Sequence, residues 1–142
     1  MNDAVARPAH ARPRWLKPVL IVALLAALAA FLWQALPGAA YPTDLKRIGV
    51  GRPTLVLAHD ANFVGSATVM ELMNVIRADY EGRVDFLVAH LALDEAQVFA
   101  ARHGASDGTV LLFSGDGQRV GLLRHPQTIE ELRGALDRAF GG

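Results

Sequence analysis

Residues 52–68 read RPTLVLAHDANFVGSAT, and this stretch decides the architecture. Thr54 to His59 (TLVLAH) is a short β-favouring apolar run. The polar, glycine-containing loop DANFVGS follows it and leads into a segment of helical periodicity. In that segment Val69, Leu72, Met73, Ile76 and Tyr80 recur at steps of three and four, while Thr68 and Glu71 have capping-box spacing. Glu81-Gly82 ends the helix. A strand, a turn loop and an amphipathic helix in this order predict the first half of a β-α-β crossover.

Working towards the C-terminus, Val84 to Leu91 (VDFLVAHL) has the nearly continuous apolar character of a strand covered on both faces. Asp94 is placed to cap a short helix that stops at His103-Gly104. Thr109 to Phe113 (TVLLF) and Arg119 to Leu123 (RVGLL) flank SGDGQ, whose glycines permit a tight hairpin. Thr128 and Glu131 repeat the capping-box spacing, and Ile129, Leu132, Leu136 and Phe140 form one apolar stripe. The order β-α-β-α-β-β-α predicts an α/β domain over residues 54–142. Its sheet is mixed, with helices on both faces, parallel pairing across the helical crossovers and an antiparallel final hairpin.

Working towards the N-terminus, residues 38–53 read as a linker, with one helical turn expected near Thr43 to Ile48. Val19 to Leu36 (VLIVALLAALAAFLWQAL) is apolar apart from Gln34. As a helix it would reach about 27 Å, close to the roughly 30 Å hydrocarbon thickness of a bilayer. Trp15 and Trp33 suit the two interfaces, and Pro18 and Pro37 bracket the segment. Residues 18–37 are therefore expected to cross a lipid bilayer. Arg7, Arg12, Arg14 and Lys17 oppose only Asp3 in residues 1–17, so the positive-inside rule keeps this end in the cytoplasm. The expected location is a bacterial inner membrane, single-pass, with the domain in the periplasm. The alternative is a signal peptide cleaved after Ala40, for which Gly38-Ala39-Ala40 supplies small residues, although the apolar run exceeds an ordinary signal core. The span's alanine-rich face (Ala23, Ala26, Ala27, Ala30) would also permit close helix packing.

Composition narrows the function. The chain has 142 residues, 52% of them hydrophobic and 20% charged, too apolar for a disordered tail and sufficient for about one domain. From Tyr41 onward, 10 Lys and Arg face 13 Asp and Glu, so no basic stripe is available to displace counterions from nucleic acid. The absence of cysteine removes disulfides, thiol catalysis and cysteine-held metals.

From about Arg52 to Phe140 the sequence resembles the thioredoxin family, although each match is hydrophobic and turn-like and only their joint order is specific. RPTLVLAHDANFVGSAT aligns with the family's first core strand, active-site loop and helix start, ADYEGRV with the following turn, LALDEAQVFAARHGA with the second helix, and TVLLFSGDGQRVG with the hairpin. The resemblance implies a thioredoxin-like fold without its chemistry. Phe63-Val64-Gly65-Ser66 stands where the family has Cys-x-x-Cys, and neither Phe63 nor Ser66 can exchange disulfides. Asn62 replaces the tryptophan before the pair. Gly108 replaces the cis-proline that faces it, for which an ordinary trans turn is expected. The implied peptide groove would be contacted by Asn62, Phe63, Val64, Ser66, Asp107 and Thr109.

The expected role is a redox-inactive, non-enzymatic binding, scaffold or assembly subunit of a membrane or periplasmic complex, with a protein partner and no cofactor. Ser66 has no catalytic partner at recognisable spacing and is expected to cap the helix that follows. Phe63 is either an exposed anchor or folded back on the core. The alternative function is a copper- or zinc-handling accessory role using His59, Asp60 and His90, since the two histidines end neighbouring predicted strands. His103 and His125 complete the histidine set of the domain, but the spacings match no compact metal motif. Asp116-Gly117 reads as a hairpin turn, and Glu130-Glu131 complements a helix dipole.

Overall fold

The structure, a computed structural model, describes residues 15–35 and 40–141. The chain divides into two units, residues 1–37 and 38–142. In the first, α1 (Leu16–Ala35) is a helix whose described side chains are exposed on every side. It is long and apolar enough to cross a membrane. Pro18 fits in its opening turn, where amide hydrogens have no intrahelical acceptor. Arg7, Arg12, Arg14, Leu36, Pro37 and the Gly38-Ala39 part of the alternative cleavage site lie outside the described residues.

The second unit contains β1 (Thr54–His59), α2 (Gly65–Ile76), β2 (Asp85–His90), α3 (Asp94–His103), β3 (Thr109–Phe113), β4 (Arg119–Arg124) and α4 (Ile129–Phe140). The four strands form one sheet in the order β2-β1-β3-β4. β1 and β2 are parallel in the register Thr54↔Asp85 to His59↔His90. β3 runs antiparallel to β1, with Leu57 opposite Val110, and β4 antiparallel to β3. The expectation of parallel pairing across each helical crossover thus holds for β1 and β2 but not for β3. The β3–β4 hairpin enters the sheet as a unit, and β3 takes the free edge of β1 in the opposite sense.

Strand periodicity separates the core into two layers. On one face Leu55, Leu57, Phe86, Val88, Val110 and Leu112 pack with Val69, Met73 and Ile76 of α2 and Leu132 and Leu136 of α4. On the other, Val56, Leu87, Ala89, Leu111 and Phe113 pack with Ala96 and Phe99 of α3. Each fully buried leucine contributes on the order of 1.5–3 kcal/mol, so both strand faces hold the sheet in register.

Three local expectations change. Thr68 does not cap α2, which begins at Gly65 behind Val64 and has no side-chain cap; the Thr68–Glu71 spacing falls inside the helix. Asp94 lies in the first turn of α3, with Leu93 at the cap, and acts there through the helix dipole. The segment read as a linker is largely built into the domain: Tyr41 is buried and its hydroxyl donates to Asn74 Oδ1 at 2.6 Å, while Leu45 and Ile48 pack against the second core layer. A 3-10 turn occupies Leu45–Arg47, within the expected helical turn. The Thr128–Glu131 cap forms as expected, with the Glu131 amide donating to Thr128 Oγ1 at 3.2 Å.

Candidate functional site

Parallel pairing brings the ends of β1 and β2 to the same edge of the sheet. Antiparallel β3 starts there as well, with the Gly108 amide donating to the Ala58 carbonyl at 2.9 Å. The loop after β1, the loop after β2 and the approach to β3 therefore converge. This convergence brings His59, Ser66 and Asp107 into contact across 7 and 41 residues of sequence.

Asp107 organises the site. Its carboxylate accepts the Asp60 amide at 2.9 Å and the Ser66 amide at 3.1 Å, and it also bonds the Ser66 hydroxyl. His59 Nδ1 lies 2.7 Å from Ser66 Oγ. Ser66 has one hydroxyl proton; when this goes to Asp107, the His59 nitrogen must donate to Ser66. Burial pushes the Asp107 carboxyl upward, but the Ser66 and Asp60 hydrogen bonds and the charge of His59 outweigh it and hold the group below its ordinary value. The ionised carboxylate thus ties the loop after β1 to the start of α2.

The outer part of the loop is fixed differently. Asp60 Oδ1 accepts both the backbone amide of Asn62 at 2.9 Å and its side-chain nitrogen at 2.8 Å, and the Phe63 amide donates to the Asp60 carbonyl at 3.1 Å. This turn, closed by the Asp60 carboxylate on the amide two residues on, projects Phe63 and Val64 outward, 61% and 85% exposed. Leu93, in the loop after β2, is 57% exposed.

These positions revise the sequence expectations residue by residue. Asn62, Phe63 and Val64 are at the surface, whereas Ser66 and Thr109 are fully buried and offer no side-chain contact to a partner. Ser66 does not cap α2 but lies within it, where its hydroxyl bridges His59 and Asp107. Thr109 Oγ1 accepts the Ser106 amide at 3.1 Å, a turn contact on the inner side of the strand start. Asp107 is partly exposed and serves the loop from beneath. All described peptide bonds are trans, including those at Gly108, whose φ of 77° explains why glycine stands there.

The residues of the metal alternative come only partly together. His59 and His90 meet edge to face with ring centroids 5.2 Å apart, but the Asp60 carboxylate is engaged by Asn62. No group of three or more His, Cys, Asp or Glu with metal-holding geometry occurs among the described residues. His103 packs against Phe99 and Phe113; burial first, and then Arg119 and Arg102, lower its pKa. A separate cavity of about 540 Å³, lined in part by Arg47, Arg52, Arg77 and Asp85, opens where β1 and β2 begin, at the opposite end of these strands.

Sequence reasoning missed two features. One is the His59–Ser66–Asp107 brace, whose members were each singled out separately, Ser66 at the lost cysteine position, Asp107 beside Gly108 and His59 at a strand end, but never joined. The other is His125, whose ring lies against Gly65 and Gly108 and which no periodicity singles out.

No family model and no curated protein sequence matches this chain. Solved structures do. The solution structure of an uncharacterised thioredoxin-like protein from Clostridium perfringens matches with a TM-score of 0.61 and 13% identity, over 68% of this chain and 78% of that one. Oxidised thioredoxin O2 from Arabidopsis thaliana matches with a TM-score of 0.56 and 11% identity, over 67% and 81% respectively. With its mixed four-stranded sheet and flanking helices, residues 54–140 have a thioredoxin-like fold, in a chain that contains no cysteine.

Proposed function

We propose that this chain is a membrane-anchored accessory or assembly subunit whose thioredoxin-like domain docks an extended segment of a protein partner and performs no thiol chemistry. In this reading α1 spans a bacterial inner membrane with its N-terminus in the cytoplasm, and the domain acts in the periplasm. The observation that carries the proposal is the pairing of a rigid base with an apolar tip: Asp107, Ser66 and His59 hold the loop while Phe63 and Val64 remain in solvent. Exposing two large apolar side chains on a braced loop gains nothing for folding, and aromatic side chains on such loops are effective binding anchors. A carboxylate, a buried hydroxyl and an imidazole replace the redox pair as a static support.

The test uses the full-length chain in native membranes with a photo-crosslinking amino acid at Val64. A discrete protein adduct that disappears when Phe63 is changed to Asp supports docking. Adducts that persist unchanged in Phe63→Asp overturn it. Cysteine labelling from either side of the membrane, at positions introduced in the domain and near residue 5, tests the orientation.

A further inference from the structure

The cavity of about 540 Å³ at the start of β1 and β2 draws its charged wall from separate stretches of chain. Arg47 comes from the 3-10 turn, Arg52 from the approach to β1, Arg77 from the end of α2 and Asp85 from the first position of β2. One carboxylate lies between two guanidinium groups. Arg47 Nη2 donates to Asp85 Oδ2 at 3.4 Å and Arg52 Nη1 to Asp85 Oδ1 at 3.2 Å. The Asp85 side chain is 14% exposed, whereas those of Arg47 and Arg52 are 42% and 50% exposed. Arg77 is held differently, with its guanidinium carbon 4.6 Å from the centre of the Tyr41 ring.

This is more positive charge than the fold requires. A single guanidinium neutralises a carboxylate, and half-exposed ion pairs add little to stability. From Tyr41 onward the domain has 10 Lys and Arg against 13 Asp and Glu, yet this wall sets three arginines against Asp85 and Glu81. A net positive cleft in a net negative domain concentrates anions from solution. Each guanidinium presents several N–H donors in a planar fork, and Asp85 takes one contact from each of Arg47 and Arg52. The rest of each fork can serve a second anion. Val84 and Phe86, both buried, add an apolar side, so an occupant can carry an organic body as well as a charge. The volume falls within the range of small-molecule sites, about 300–1,000 Å³.

We infer that this cavity binds the phosphate group of a small organic ester, with Arg47 and Arg52 as its hydrogen-bonding residues and Arg77 adding charge. Guanidinium forks match phosphate oxygens, and a phosphate offers oxygens in more directions than a carboxylate does, which suits arginines arriving from separate segments. Asp85 holds the two like charges together and competes with phosphate for their donors. A soluble phosphate ester and a phospholipid headgroup carry this chemistry alike. The site is at the opposite end of β1 and β2 from the loop bearing Phe63 and Val64, and its occupation does not depend on the docking role proposed above.

The test records the side-chain Nε–H resonances of Arg47, Arg52 and Arg119 by NMR in the full-length chain, held in phosphate-free maltoside micelles. Glycerol 3-phosphate should shift Arg47 and Arg52 saturably and leave Arg119, outside the cavity, in place. Arg47→Gln and Arg52→Gln should each weaken that binding by roughly tenfold. Asp85→Asn should tighten it several-fold, because the competing carboxylate is gone, and a gain of this kind cannot come from a damaged fold. In a parallel series phosphatidylglycerol is added to the micelles in place of the soluble ester. Saturation by glycerol 3-phosphate supports the site with a soluble source, and saturation by phosphatidylglycerol alone supports it with a lipid headgroup. Saturation by neither, or by acetate as readily as by phosphate, overturns it. So does an Asp85→Asn chain that binds neither form more tightly than wild type.

Discussion

Asp107 places one carboxylate against the Asp60 and Ser66 amides and the Ser66 hydroxyl, and charge-assisted hydrogen bonds of this kind are worth more than neutral ones. Asp107→Asn should destabilise the domain by about 1–3 kcal/mol at neutral pH, measured by urea denaturation. Because the folded pKa is depressed, this stabilisation is fully present above the unfolded value near 4 and disappears as pH falls through the folded value. The gap between wild type and Asp107→Asn should narrow on acidification below pH ~4. Tyr80 behaves in the opposite sense. Burial, and then its hydrogen bond to Asp137 Oδ1 at 2.7 Å, push the phenol up to about 12. Folding therefore favours the neutral phenol, so stability should fall as pH rises from about 10 towards 12, and Tyr80→Phe should flatten that decline. Sequence alone identified Ser66 as the residue at a lost cysteine position and Asp107 as a neighbour of the lost proline. It could not join them, because their contact depends on β3 lying beside β1.

At the scale of elements, α4 has the clearest local code. Thr128 caps it, Glu131 Oε2 accepts the Gln127 amide at 3.0 Å, and the predicted stripe faces the core. Thr128→Ala should cost about 1 kcal/mol and lower the thermal midpoint by several degrees, read by circular dichroism. β1 and β3 matched their sequence boundaries because short apolar runs ended at polar or glycine-containing loops. The start of α2 did not, since a Thr-x-x-Glu pattern arises by chance inside helices as readily as at their ends, and the true start is held by Asp107 from another loop. The direction of β3 was equally hidden: both faces of that strand are buried, so its hydrophobic pattern is the same for parallel and antiparallel neighbours.

At the scale of the molecule, the domain's boundary begins earlier than residue 54. A chain starting at Tyr41 should fold with an unchanged thermal midpoint, while one starting at Thr54 should lose roughly 3 kcal/mol or more with the burial of Tyr41, Leu45 and Ile48, measured by denaturant titration. The earlier segment is fastened at two places. The Val88 amide donates to the Pro42 carbonyl at 3.0 Å, and the Gly51 amide donates to the Gly115 carbonyl at 2.8 Å beside the close approach of Gly49 to Gly117. These two clasps bear on mechanics. Tension entering from the N-terminal side meets Tyr41, bonded to Asn74 of α2, and Pro42, bonded to Val88 of β2, and then the hairpin tip, before it can reach β1. The segment acts as a strain relief, in the sense of a cable clamp: both clasps must part before load can pass along the backbone into β1.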